Sequence, residues 1–275
     1  MAEAVAERVR RYILDGSDQD LRRLLGIAEI SAEMARAAFG RLGVQQGWTA
    51  IDCGCGPIGG LAVMAETVGP AGRVVGVDFN PAAVQRARAV VSALELGNVE
   101  VIAGDLHELD PAALGGPFDL AYSRLFLMHQ ADPVRTLRRI AGLLRPGGWF
   151  VAQEALRIPT PRSHPHLEAL SGCWDVIYEL LDRAGVPAGT VEDLPRSARA
   201  AGFEVAGMSG YFQTGDPEMF ELHAATLAAA RDRAIGAGIA GDRIDDLVRD
   251  IRAAKDGGYE WVTSPFYLDL ALRKV

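Results

Sequence analysis

Before residue 47 one helical pattern is legible. Leu21, Leu24, Leu25 and Ala28 recur at intervals of three and four, which predicts an amphipathic helix over about 18–39, with Asp18 able to cap its start. The segment Gly43-Val-Gln-Gln-Gly47 breaks it. After Gly47 the apolar positions change period repeatedly. Short apolar runs predict strands over 48–52, 73–78, 98–103, 118–123 and 149–154. Helical patterns lie between them. One covers 60–68. A second begins at Pro81 behind an Asn80 cap, with Val84, Ala87, Val91 and Leu94 on one face. A third covers 133–145 with Val134, Leu137, Ile140 and Leu144, and Pro146-Gly-Gly148 turns it into the fifth strand. Strands alternating with helices at this pitch predict an α/β fold: a doubly wound, Rossmann-like, mostly parallel sheet.

Past Glu154 the rhythm changes. Pro159, Pro161 and Pro165 mark an irregular stretch, and His164-Pro-His166 reads as a solvated loop. A helix over 166–184 carries Leu167, Leu170, Trp174, Ile177 and Leu181 on one stripe, and another covers 194–201. A sixth strand is expected over 203–212, helices over 217–236 and 242–254, and a seventh strand over 265–273. A minimal sheet of this type needs about 150 residues. The surplus falls into an N-terminal helical arm (1–46) and two insertions in the domain 47–275, near 157–200 and 214–260. The insertions are expected to form a helical cap over the carboxyl edge of the sheet.

Composition narrows the class of partner. Of 275 residues, 28 are Lys or Arg and 36 Asp or Glu, a net charge of −8 that disfavours broad binding to nucleic acid or an anionic membrane. Three cysteines, at 53, 55 and 173, are too few for a disulfide scaffold and suit a reducing compartment. Cys53-Gly-Cys55 has no second close pair, so no metal site is expected. The N-terminal segment lacks an apolar signal core and no apolar run reaches membrane-spanning length, so the expected location is cytoplasmic.

The chemistry concentrates after the first strand. In Asp52-Cys-Gly54-Cys-Gly56-Pro-Ile-Gly59-Gly60, the glycines at 54, 56 and 59 satisfy the spacing of a dinucleotide loop. Asp52 opposes that reading, because a carboxylate there would face a pyrophosphate with like charge. It suits a ligand bearing an amine and a sulfonium. Asp78 closes the second strand 19 residues beyond Gly59, and Gly104-Asp105-Leu106 follows the third. Gly54 and Gly56 can also be plain turn residues, Asp78 a helix-start acid, Asp105 a solvated loop acid, and Cys53 and Cys55 small packing residues.

The segment from Asp52 resembles motif I of the class I S-adenosylmethionine (SAM)-dependent methyltransferases. Asp78, Gly104-Asp105, Phe118-Asp119 and Leu144-Arg-Pro-Gly-Gly148 match further motifs in order across about 48–154. One departure is that the family's third glycine usually falls at the place of Ile58, whereas here glycines stand at 59 and 60. The resemblance implies a SAM cofactor held by Asp52, Gly54, Cys55, Gly56 and Gly59, with Asp78 on the ribose hydroxyls. Phe79 stands beside it, Asp105 and Leu106 face the adenine, and Ser123 and Arg124 lie at the methionine end. The N-terminal run from Tyr12 resembles the opening of a subset of bacterial small-molecule methyltransferases, which implies that Tyr12 folds over the cofactor as part of a lid.

Methyl transfer from a sulfonium asks mainly for proximity and alignment, and for a base only where the acceptor must lose a proton. His129, just beyond the fourth strand, is the candidate base, and helix-start packing is its plain alternative. Trp174, Tyr178 and Phe212 are candidates for the substrate pocket, although aromatics at helical spacing are more often core. The resulting expectation is methyl transfer to O, N or C of a small organic acceptor such as a secondary metabolite. Self-association could run through the N-terminal arm. A nicotinamide-dependent oxidoreductase rests on the glycine spacing alone and lacks a Tyr-x-x-x-Lys helix, since Tyr178 is followed by Asp182. A nucleic-acid methyltransferase is disfavoured by charge. A non-catalytic SAM-binding protein is the remaining alternative.

Overall fold

The apolar runs become strands of one sheet because both of their faces are buried: every residue of β1 (Thr49–Cys53) and β2 (Arg73–Asp78) after the first is buried. The computed structural model describes residues 19–157, 160–186 and 189–275. Tyr12, Asp18 and Pro159, and the side chains of Leu21, Leu24 and Leu25, lie outside the described residues.

Around the first two strands the elements run α1 (Gln19–Leu42), α2 (Leu61–Val68), α3 (Pro81–Ala93), β3 (Val99–Ala103), β4 (Phe118–Arg124), α4 (Pro133–Leu143) and β5 (Leu144–Ala155). Later come α6 (Leu194–Ala200), β7 (Phe203–Tyr211) and β10 (Tyr267–Lys274), whose strands complete the sheet. Its order is β3-β2-β1-β4-β5-β10-β7. The pairs β1–β2, β1–β4, β2–β3 and β4–β5 are parallel. The seven-stranded, mostly parallel sheet expected from the pattern is therefore present. The chain order reverses at β1, with β2 on one side and β4 on the other, and such a switch point opens a crevice at the carboxyl ends of the strands. Cys53 pairs with Val77 and Asp78 with Ala103, so β1, β2 and β3 end level and bring their following loops to one edge.

Local signals held where they were strong. The Asn80 side chain accepts the Ala82 amide, as the cap reading required. Two expectations change. The chain enters the fifth strand at Leu144, before Pro146-Gly-Gly148, because Phe118 pairs with Leu144 and Leu120 with Trp149. The Pro-Gly-Gly segment is thus an irregularity inside the strand, made possible by Gly147 at φ +72°. Three short strands were also missed: β6 (Ser163–His164), β8 (Thr214–Gly215) and β9 (Trp261–Thr263) form a small antiparallel sheet with β9 in the middle. His164 belongs to β6 and stacks on Trp261, while it and His166 are exposed, so the stretch is solvated but starts in a strand and is not all loop. Segments of two or three residues are too short to show a period.

The chain divides into two units. One holds the chain up to Glu154 together with Asp193–Ser209 and Asp269–Val275, and the other holds Ala155–Glu192 and Gly210–Leu268. The first is built on the sheet and has its own core, with Phe39, Met64, Leu120 and Tyr122 fully buried. It also takes in α6, which lies in the stretch read above as an insertion. The second contains α5 (Glu168–Arg183), α7 (Met219–Gly236), α8 (Gly241–Ala254) and the small sheet. Leu170, Cys173, Trp174, Phe220, Leu227, Ile244 and Ile251 make its core. Among the described residues no helix is long and apolar enough to cross a membrane, and no three His, Cys, Asp or Glu side chains are grouped to hold a metal ion.

At the centre of the second unit His223 is fully buried. The Trp174 Nε1–H donates to its Nδ1 at 3.1 Å, and its Nε2 meets the Thr263 carbonyl at 2.9 Å. A carbonyl only accepts, so Nε2 carries the proton and the ring is neutral. Burial pushes its pKa from 6.5 to about 4, against a smaller opposing effect of the Thr263 bond. The folded state thus binds this proton less readily than the unfolded chain. The stability involved is present above about pH 6.5 and is lost as pH falls toward about 4, a difference of about 3 kcal/mol. His223→Gln can keep both hydrogen bonds without titrating. Urea unfolding across that window should therefore show wild type losing about 3 kcal/mol relative to the variant, and parallel curves would refute it.

Candidate functional site

The loop between β1 and α2 is shaped by two carboxylates. Asp52, at 1 % exposure, accepts the Gly60 amide on Oδ2 at 2.7 Å, tying the strand end to the start of α2. Burial raises its pKa to about 7. The Gly60 bond and the nearby Arg124 charge act the other way, and Asp78 adds to the rise. Asp78, at the end of β2, accepts the Gly56 amide on Oδ2 at 2.9 Å and the Asn80 amide on Oδ1 at 2.8 Å. The Gly54 and Cys55 amides both donate to the Val77 carbonyl, at 2.8 and 3.0 Å. The loop is therefore hung from β2 as well as from its own strand.

Three glycines of the loop are required sterically, Gly60 among them because a Cβ there would lie 2.4 Å from the Tyr122 ring. Gly59 has φ +48°, and a Cβ there would lie 2.5 Å from the Cys55 carbonyl oxygen and 2.6 Å from Asp52 Oδ2. Gly54 has φ +75°, and a Cβ there would lie 2.3 Å from the Phe126 ring. Gly56 is also left-handed but faces open space. Cys55 is buried, packs in the sheet unit's core, and has its thiol pKa pushed up by burial. Cys53 is likewise a buried free thiol.

The other expected residues stand along the same edge of the first unit. The Gly104 amide donates to the Asp78 carbonyl at 2.9 Å, which sets Asp105 next to the end of β2. Asp105 is exposed and accepts the His107 amide, the pattern of a local turn. The Leu106 side chain is buried, while its carbonyl accepts Arg139 Nε at 2.6 Å. Phe79 is 79 % exposed, an unusual state for an aromatic ring in a single domain. At the end of β4, Ser123 is fully buried, and its hydroxyl meets no hydrogen-bond partner among the described residues. Arg124 is half-buried, near enough to Asp52 to influence its ionisation. His129 is exposed and ends a 3-10 turn, Leu127–His129.

The pocket candidates lie in the second unit. Trp174 is committed to that unit's core through His223. Tyr178 is half-buried, with the Arg157 guanidinium 5.8 Å from its ring centre. Phe212 is 53 % exposed, its ring 6.3 Å from that of Phe266.

Sequence reasoning missed a set of polar groups inside the sheet unit. Tyr122 donates to the Gln153 side-chain carbonyl, and Gln153 donates in turn to Asp269 at 3.0 Å, a buried chain across β4, β5 and β10. Glu154 is fully buried with its carboxylate toward the segment after β4, and burial raises its pKa to about 7 against three backbone hydrogen bonds. The signal was present as polar residues ending an otherwise apolar strand, but pairing across strands is not visible in one strand's sequence.

The loop geometry orders its glycines. Gly56→Ala should cost about 1 kcal/mol, the price of a left-handed alanine. Gly59→Ala should cost several times more, because its Cβ would meet backbone and a buried carboxylate. Urea unfolding of both variants checks this, and equal costs would contradict the loop geometry.

A family model described as a methyltransferase domain matches residues 45–185, just over half of the chain. A demethylmenaquinone methyltransferase of Listeria monocytogenes is 34 % identical over 105 residues, 38 % of this chain and 44 % of that protein. A trans-aconitate 2-methyltransferase of an Azoarcus species is 30 % identical over 155 residues, 56 % of this chain and 57 % of that protein. The chain thus spans about half the length of these curated relatives. Among solved structures, the [4+2]-cyclase SpnF is similar with a TM-score of 0.56 at 20 % identity, covering 89 % of this chain and 81 % of that one. At that identity the likeness concerns the fold. The matched span holds the glycine loop and the acids that follow it, and the chain belongs to the class I SAM-dependent methyltransferase family.

Proposed function

We propose that the protein transfers the methyl group of SAM to O, N or C of a small organic acceptor, a secondary metabolite among the candidates. The observation that carries this reading is the pair of acids at the ends of β1 and β2, each holding an amide of the glycine loop. The residues present suit the cofactor's chemistry. Asp78 keeps acceptor capacity beyond its two amide bonds, as ribose hydroxyls require. Phe79 offers an exposed ring beside it for a planar base, with Asp105 placed for an exocyclic amine. The buried Ser123 hydroxyl and Arg124 offer donors for a carboxylate. A pyrophosphate would instead meet Asp52 and Asp78 with like charge, which disfavours a nicotinamide dinucleotide.

SAM brings a methyl group already activated on a sulfonium. The chain's task is then to hold, align and exclude water. Asp52 fixes the loop, and in its ionised form it favours a nearby cation. His129 serves as base for an acceptor that must lose a proton. Tyr178 and Phe212 retain surface for recognising an acceptor, and Trp174 packs against Tyr178 from the core. The relatives named for demethylmenaquinone and trans-aconitate support a small organic acceptor without fixing which.

Calorimetric titration tests the cofactor. S-adenosylhomocysteine should bind, and NAD and NADP should not; the reverse outcome would end the reading. Asp78→Asn should weaken that binding at least about tenfold, the worth of a charge-assisted hydrogen bond, and should also lower the unfolding midpoint, because its amide nitrogen would face the Gly56 or the Asn80 N–H. Unchanged affinity would remove Asp78 as the ribose ligand.

A further inference from the structure

The segment after β4 is held in an unfavourable conformation by one side chain from the neighbouring strand. Leu125 has φ +50°, in the left-handed region where a branched, non-glycine residue is strained. Such a conformation persists only where its surroundings over-determine it. Here its own amide donates to the Gln153 carbonyl at 2.8 Å. The next three amides all go to Glu154. Phe126 N–H and Leu127 N–H donate to Oε1 at 3.2 and 2.9 Å, and Met128 N–H donates to Oε2 at 3.1 Å. Both carboxylate oxygens are thereby used on backbone.

Removing the carboxylate would leave one buried and two part-buried amides in a row without acceptors, at about 1–3 kcal/mol each where water cannot replace it. The segment carries more than itself. The Phe126 ring lies so close against Gly54 that a single methyl on that glycine would overlap it. The His129 and Gln130 amides then close the turn onto the Phe126 and Leu127 carbonyls. Glu154 therefore stands at the head of a chain of contacts that ends on the glycine loop.

We propose that Glu154 is a positioning residue for the cofactor site: by taking the amides of Phe126, Leu127 and Met128 it sets Phe126 against Gly54 and fixes the wall beside the glycine loop. The clamp stands on geometry alone, and its functional half rests on the SAM reading above. A glutamine at 154 would keep an acceptor for Phe126 and Leu127 but turn an N–H donor toward the Met128 amide, so the two substitutions should differ.

The test combines backbone amide exchange on the ligand-free protein with calorimetric binding of S-adenosylhomocysteine. Wild type, Glu154→Gln, Glu154→Ala, Phe126→Ala and the Glu154→Ala/Phe126→Ala double variant are compared. Glu154→Ala should speed exchange at Phe126, Leu127 and Met128 at least about tenfold while β4 and β5 amides stay protected. Glu154→Gln should speed Met128 alone. Affinity should fall about tenfold in Glu154→Ala and be partly restored in Glu154→Gln. The double variant should bind no more than about twofold worse than the weaker single variant, because both act through one contact. Unaltered exchange in Glu154→Gln overturns the clamp even if Glu154→Ala does not fold. Changed exchange with unchanged affinity, or additive losses, overturns its functional half. Wild type that does not bind at all overturns the SAM reading and the functional half with it, whereas the exchange result still decides the clamp.

Discussion

The loop after β1 turns back on itself because Asp52 accepts the Gly60 amide from inside the core. A buried carboxylate is costly unless hydrogen-bonded, and its raised pKa records that cost. Much of the first unit is arranged around this one bond. Gly59 must be small because its Cβ would collide with the same carboxylate. The Asp78 bond to Gly56 suspends the far side of the loop from β2. The level ends of β1, β2 and β3 keep the acids of all three on one edge.

A second carboxylate acts on the other side of β1. Glu154 organises backbone as Asp52 does, but across a strand pair rather than within a loop. The two acids stand on β1 and β5, the strands on either side of β4, and both are buried. Around them stand Asp78, the exposed Phe79 ring, the exposed Asp105 and the half-buried Arg124. Buried acids, Asp78 among them, hold the backbone frame. The second unit follows another rule. At its centre one neutral imidazole ties Trp174 to the Thr263 carbonyl, so a tryptophan offered as a pocket residue is bonded within the core. Fold and chemistry remain separate matters, since one structural neighbour of the same architecture is a cyclase.

The sequence by itself determined the alternation of strands and helices, the seven-stranded sheet, the position of the glycine loop and the acids closing its strands. These are local patterns: a period of two or 3.6, a cap, a glycine spacing. Only the tertiary structure decided what each acid does. Asp52 and Asp78 read alike in the chain and both end buried, yet one holds the Gly60 amide and the other the Gly56 and Asn80 amides, because the partners that each meets are set by the fold. The same holds for the Pro-Gly-Gly segment, which became an irregularity within β5 through its partner strand, and for the small sheet, whose two- and three-residue strands exist only through pairing. Glu154 is the clearest case: nothing adjacent to it in sequence marks its role, since its three partners lie 26 to 28 residues earlier and meet it only when β4 and β5 pair.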